Sequence, residues 1–392
     1  MARILAVSGN EAVAEALRQT NPDVCAAYPI TPATELMQRF AAFVSNGQVD
    51  TELILVESEH SAMSACIGAA AGGGRVATAT SSQGLALMWE MLYIAAGLRL
   101  PIIMSVVNRS LSAPLNIHCD HSDVMGARDS GWIQFWSENG QEAYDNTIQA
   151  FKIAEHMDIR LPAMVCMDGF IISHSIERVE YLEDSEVKNF VGEYKPFNPL
   201  LDINNPKSFG PLILPDLFHE YKRAQHEVTT KVTDIVLDVA NEFEKISGRK
   251  YGLFETYRLD DAEIALVILN SAAGTSKDVI DEFREKGIKA GLLKPRLFRP
   301  FPYEEMADAL KHLKAICVMD RADSSGGYGP LFLEVSSALY QVKKRPQMIN
   351  KIYGLGGRDY LPKDAEQVLS ELVEIVKTDK VSVVKEYIGV RE

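Results

Sequence analysis

The chain has 392 residues, 47% hydrophobic and 24% charged, a make-up too large for one ordinary core that predicts two or three compact domains. Its 54 acidic against 40 basic residues leave a net charge of -14 with no long run of Lys or Arg, which argues against a nucleic-acid partner. Apolar runs break at Gly, Pro or Arg well before the ~20 residues of a membrane span, the first ten residues lack a signal-peptide core, and the five cysteines form no C-x-x-C pair. The expectation is a cytoplasmic protein with neither a disulfide framework nor a metal or iron–sulfur site of its own.

In chain order, a helix pattern over Glu11 to Arg18 leads to a short strand, Val24 to Ala27, and then to Tyr28-Pro29-Ile30-Thr31-Pro32. The two prolines stiffen that loop and present Thr31, unless Thr31 merely caps a helix over Ala33 to Val44. Leu53 to Val56 reads as a buried strand, so Glu59 lies just past a strand end at the mouth of a small-residue helix, Ser61 to Ala71. The next strand, Arg75 to Thr80, runs into Ser81-Ser82-Gln83-Gly84 and an apolar helix to Ala96. Pro101 to Val107 is almost wholly apolar, as buried parallel strands are, and delivers Asn108-Arg109 to the same sheet edge.

An irregular run, Ser110 to Trp132, carries His118-Cys119-Asp120-His121. That spacing fits no zinc knuckle and has no second half, so a lid or interface segment is the preferred reading over a metal site. A helix over Gln141 to His156 and a strand over Leu161 to Asp168 close the first domain. Five prolines between Pro196 and Pro215 then mark a wrap-around segment, followed by one helix from about Leu217 to Lys245. Strands and helices alternate again from Asp261, which implies a second parallel sheet covered on both faces. The glycines Gly326, Gly327 and Gly329 match no dinucleotide or Walker fingerprint and suggest a tight turn or a domain contact.

Several blocks in the right order, Tyr28 to Pro32, Glu57-Ser58-Glu59-His60-Ser61-Ala62, Thr80 to Met88, Asn108-Arg109 with His118 to Asp123, Met167 to His174 and Gly354 to Asp359, strongly resemble the α subunit of pyruvate:ferredoxin oxidoreductase (pyruvate synthase). The resemblance runs over essentially the whole chain. It implies an α/β protein with two parallel-sheet, three-layer domains: a thiamine-diphosphate pyrimidine-binding domain over residues 1–180 and a transketolase C-terminal-like domain over 259–392. The Pro-rich segment and long helix of 181–258 lie between them.

What the resemblance implies for function is the reversible oxidative decarboxylation of pyruvate with coenzyme A to acetyl-CoA, carbon dioxide and reduced ferredoxin, by a complex in which this chain is inert alone. Thiamine diphosphate would be shared with a β subunit that holds Mg2+, [4Fe-4S] clusters would sit in partner subunits, and γ and δ (ferredoxin-like) subunits would complete the assembly. Glu59 matches the carboxyl partner of the pyrimidine ring nitrogen, and Thr31 and Arg109 match substrate-contacting positions. Pro29, Ile30, Ser82, Gln83 and Gly84 are the accompanying candidates for the pyrimidine slot; no metal ligand is expected here. The alternatives are an oxidoreductase for another 2-oxo acid (branched-chain, 2-oxoglutarate or oxalate) or a non-catalytic scaffold subunit.

Overall fold

The apolar runs offered by the sequence become the strands of two sheets in the computed structural model, which describes residues 3–391. From edge to edge the first sheet has seven strands: Leu297–Arg299, Ile133–Trp136, Ala163–Asp168, Ile102–Asn108, Val76–Thr80, Val24–Ala27 and Glu52–Leu55. All pair in parallel except Leu297–Arg299, which runs antiparallel to Ile133–Trp136. The second sheet has six strands in the order Lys385–Tyr387, Gln347–Ile352, Ala315–Asp320, Ile264–Ile268, Ala290–Pro295 and Phe254–Tyr257, the last of them antiparallel. Every residue of the central strands Val76–Thr80, Ile102–Asn108 and Ala163–Asp168 is buried, because helices cover both faces.

Local chemistry sets the helix ends. Ser8 and Glu11 form a reciprocal capping box that starts the helix Gly9–Thr20. Ser58 accepts the Ser61 N–H to start Glu59–Gly72, and Gly73, at φ 108°, ends it. A Cβ on Gly73 would stand 2.8 Å from the Pro199 Cβ, and the Leu200 N–H donates to the Ala71 carbonyl at 2.8 Å. The Pro-rich segment therefore lies flat across the end of that small-residue helix.

The single long helix expected beyond it is two helices, Pro215–Thr229 and Val232–Ser247. Val232, Ile235, Val236, Val239 and Phe243 recur at helical spacing and are buried in the first core, whereas the upstream helix buries no residue. Only the second piece has an apolar stripe that continues the core. An antiparallel ribbon of Arg3–Ser8 with Ile176–Tyr181 is also beyond the sequence reading.

The two sheets share one core. Met104, Trp136, Val267, Leu293 and Phe298 belong to a single buried cluster, and the Trp136 N–H donates to the Arg296 carbonyl at 2.8 Å. The carboxyl ends of both sets of parallel strands thereby face each other, which decides where the functional loops go.

Candidate active site

Glu59 is the first residue of its helix and is 7% exposed. Its carboxylate makes no hydrogen bond or ion pair with any described residue, although burial of an unsatisfied acid is costly. Directly against it lies Gly84: a Cβ there would stand 2.6 Å from Glu59 Oε1 and 2.6 Å from Thr80 Oγ1. The Thr80 hydroxyl is fully buried and also has no partner. An idle acid and an idle hydroxyl thus converge over the bare face of a glycine, a donor–acceptor set suited to the edge of a flat heterocycle such as an aminopyrimidine.

The other half of the site is Arg109. Its Nη1 donates to the Thr31 carbonyl at 2.9 Å and its Nε to the Asn116 carbonyl at 3.0 Å. Among the described residues no carboxylate pairs with the guanidinium, and burial pulls its pKa below the ordinary value against the charge of Asp123. Thr31 is exposed and does not cap a helix, since the next helix begins at Thr34 with Ala33 in the cap position. The structure therefore brings Thr31 and Arg109 together as a hydroxyl and an unpaired cation at the carboxyl edge of the sheet. In the same loop Pro29 is exposed and Ile30 packs against the first core.

Asp123, which the sequence reading did not single out, ties the two halves. Its Oδ2 accepts the Ser82 N–H at 3.1 Å and the Arg109 N–H at 3.0 Å, while Oδ1 accepts from Asn108 Nδ2 at 3.0 Å and from the Val124 N–H at 2.8 Å. Ser82 is held in the left-handed region at φ 48°, its hydroxyl committed to the Ser110 carbonyl at 2.6 Å and to Gln83 Oε1 at 2.5 Å. Gln83 in turn donates to Ser112 Oγ at 2.7 Å. Ser82 and Gln83 thus fix the backbone that presents Gly84. The one signal for Asp123 in the sequence was its place at the end of the His118 to Asp123 block.

Burial raises the Asp123 carboxyl to about 6, against the pull of its N–H donors. A pKa raised above the unfolded value means that the fold binds this proton more tightly, so ionising Asp123 costs stability as pH climbs from about 4 through about 6. Function has the opposite sign, because only the carboxylate accepts from all four donors. Wild-type kcat/KM should fall as pH drops through about 6, whereas Asp123→Asn, which turns a donor toward Asn108 Nδ2 and the Val124 N–H, should lose that limb and run roughly 10-fold lower throughout. Identical acid limbs in the two pH profiles would remove Asp123 from this role.

The run from Ser110 to Trp132 bridges the domains instead of only covering one. The Gly357 N–H donates to the Cys119 carbonyl at 2.7 Å, Asn116 Nδ2 to the Gly356 carbonyl at 2.9 Å, and a Cβ on Gly357 would stand 2.3 Å from the His118 Cβ. At the base of this bridge sits Asp168, the last residue of its strand. It accepts from His121 Nε2 at 2.7 Å, Asn270 Nδ2 at 3.1 Å, the Ser271 N–H at 3.2 Å, the Ser271 hydroxyl, and Arg321 Nη1 at 3.0 Å. Burial alone would raise this carboxyl, but Arg321 and His121 hold it well below the usual range. Cys119, His121 and Asp168 have ligand atoms within 4.8 Å of one another, yet the positive charge beside them is already Arg321. Gly329, by contrast, serves a turn inside the second domain, where a Cβ would meet the Asp320 carboxylate.

Residues 15–241 match the pyruvate flavodoxin/ferredoxin oxidoreductase thiamine-diphosphate-binding domain, and residues 262–365 match pyruvate:ferredoxin oxidoreductase core domain II. The chain belongs to the pyruvate:ferredoxin oxidoreductase family. Among curated members it is 53% identical over 388 residues to pyruvate synthase subunit PorA of Thermotoga maritima, covering 99% of this chain and 98% of that one. To PorA of Methanocaldococcus jannaschii it is 47% identical, with 95% of both chains covered. Ketoisovalerate oxidoreductase subunit VorA of Pyrococcus abyssi is 43% identical, covering 95% of this chain and 94% of that one.

Among solved structures, the 2-oxoglutarate:ferredoxin oxidoreductase of Magnetococcus marinus superposes with a TM-score of 0.71 at 20% identity; the match takes in 96% of this chain and spans 65% of that one. A split-gene transketolase superposes with a TM-score of 0.53 at 11% identity, over 96% of this chain and 100% of that one. These two likenesses establish the fold alone: two parallel-sheet domains of the kinds that the family and transketolase share.

Proposed function

We propose that this chain is the α subunit of a pyruvate:ferredoxin oxidoreductase, a thiamine-diphosphate-dependent enzyme that converts pyruvate and coenzyme A to acetyl-CoA, carbon dioxide and reduced ferredoxin. The observation that carries this reading is the unpartnered Glu59 carboxylate lying over Gly84 and beside the idle Thr80 hydroxyl. The PorA relatives, alike over nearly their whole length, support the choice of pyruvate.

Thiamine diphosphate, when bound, supplies the nucleophilic carbon and electron sink that decarboxylating a 2-oxo acid requires. This chain's part would be to hold the pyrimidine edge: Glu59 would share a proton with the ring nitrogen and Thr80 would offer its hydroxyl, both set close against the bare backbone of Gly84. Arg109, which no protein carboxylate neutralises, pairs with the carboxylate of the 2-oxo acid, and Thr31 offers a hydroxyl beside it. Burial of Glu59 and Arg109 excludes water from the groups that handle protons and charge.

The other half of the cofactor site is assigned to a β subunit carrying Mg2+ and [4Fe-4S] clusters, with γ and δ subunits completing the complex. Two features of the chain support this division. Its five cysteines are buried and scattered along the sequence. The ends of the strands carrying the site and the segments that follow them expose Tyr28, Leu55, Leu87, Trp89, Leu115 and Ile117, which are 37 to 77% accessible, and large exposed apolar side chains are the material of a protein interface.

Viologen reduction by pyruvate and coenzyme A, with the chain reconstituted into its complex, tests the reading; preference for ketoisovalerate over pyruvate would move it to the branched-chain activity named for VorA. In that assay Arg109→Ala should lower kcat/KM for pyruvate by roughly 10- to 100-fold, the worth of a charge-assisted contact of about 1.5–3 kcal/mol. Unaltered pyruvate kinetics would show that the substrate pocket lies elsewhere.

A further inference from the structure

A half-open cavity lies at the opposite, amino-terminal edge of the first sheet. It holds about 370 Å3 and opens where the chain enters the strands Ile102–Asn108 and Ala163–Asp168, with the Pro-rich segment as its outer wall. A strand of six or seven residues rises roughly 20 Å, so the cavity and the Glu59 site are separated by the length of the strands.

Arg99, Arg160 and Lys207 line this cavity, and among the described residues no acidic one does. In a chain with 54 acids against 40 bases, that imbalance runs against the overall charge. None of the three cations forms an ion pair among the described residues. Arg99 donates to the carbonyls of Asp158 and Ile159, and Arg160 donates to the Lys195 carbonyl and to Met157 Sδ, contacts that position the guanidinium groups without neutralising them. Glu155 lies within electrostatic reach of Arg160 but is held by Arg75 through both oxygens at 2.8 Å. Asp202, within reach of Lys207, makes no ion pair with it.

The backbone also carries strain here. Arg99 and Arg160 both sit in the left-handed region, at φ 55° and 47°, a conformation that residues with a side chain rarely adopt. Two like charges thus converge on one cavity, and burial together with the charge of Arg160 lowers the pKa of Arg99. Arg160 is 5% exposed and lies against the rings of Tyr194 and Phe197, at 5.9 and 5.6 Å from their centroids. Tyr221 closes another side. Cations set in aromatic walls make a recognition surface for an anion carried on a flat or apolar body.

We propose that this cavity binds a small organophosphate of the nucleotide class, its phosphate between Arg99, Arg160 and Lys207 and its ring against Tyr194 and Phe197. The site is separate from catalysis and stands independently of the pyruvate reading. Bound there, the ligand would fasten the Pro-rich segment to the sheet, because Tyr194, Phe197 and Lys207 all come from that segment while the two arginines come from the sheet edge.

The test is calorimetric titration of the assembled complex with ADP and, separately, with inorganic phosphate, together with thermal melts in ADP. Arg99→Gln combined with Lys207→Ala removes two charges and keeps an amide donor for the Ile159 carbonyl. ADP should bind the wild type at least ~10-fold more tightly than phosphate and raise its melting temperature; the double variant should lose at least ~10-fold in ADP affinity while turning over pyruvate normally without ADP. Absence of ADP binding, or ADP binding that the double variant leaves unmoved, overturns the site. Phosphate binding as tightly as ADP overturns the aromatic half of the proposal.

Discussion

Hydrogen–deuterium exchange at C2 of bound thiamine diphosphate should slow by roughly 10²- to 10⁴-fold when Glu59 is replaced by Gln, the range over which a positioned acid–base group contributes. Glutamine keeps the length and packing of the side chain against Gly84, so the slot stays open and cofactor affinity should change far less than the exchange rate. What disappears is the group able to share a proton with a ring nitrogen. The position is sensitive because no described residue competes for that proton: Glu59 is 7% exposed and has no partner among the described residues. Exchange at the wild-type rate in the assembled variant would take Glu59 out of the mechanism.

Asp168→Ala should give the largest loss of stability in the chain, about 3–5 kcal/mol, seen as a lower thermal midpoint. The side chains of Asp168, His121 and Arg321 are 1%, 1% and 2% exposed, so removing the acid strands a buried guanidinium and an imidazole and cuts the links to Asn270 and Ser271. The pH dependence has a definite sign. Because the folded carboxyl is held below its ordinary value of 3.8, its stabilisation is fully present at neutral pH and is lost as pH falls below about 4. The gap between wild type and variant should therefore be flat from pH 5 to 8 and narrow in acid, the reverse of the trend expected at Asp123. A variant as stable as wild type would mean that the domains are held by the shared apolar core alone.

Much of this molecule was legible from its residues because the relevant signals are local. The almost wholly apolar run Pro101 to Val107 announced the strand Ile102–Asn108, since a strand buried on both faces has no polar alternation to show. Loops at strand ends delivered Thr31, Glu59, Gly84 and Arg109 to one sheet edge, where parallel sheets place their ligands. The short antiparallel strands Leu297–Arg299 and Phe254–Tyr257 were missed, as edge strands of three and four residues carry too little pattern. The break at Thr230 and Lys231 escaped for a related reason: polar residues fit a helix surface, and only contact with the core distinguishes the two pieces.

The sequence by itself marked the central strands, the parallel sheets and the candidate side chains at the carboxyl edge, because these depend on neighbours within a few residues and on a fixed handedness of connection. Tertiary structure alone decided that Asp123 clamps Ser82 to Arg109 and that Asp168 meets Arg321, 153 positions away. Each of those carboxylates is an ordinary acid until burial removes water. Which donors then replace the water depends on how two sheets dock, and no local pattern encodes that.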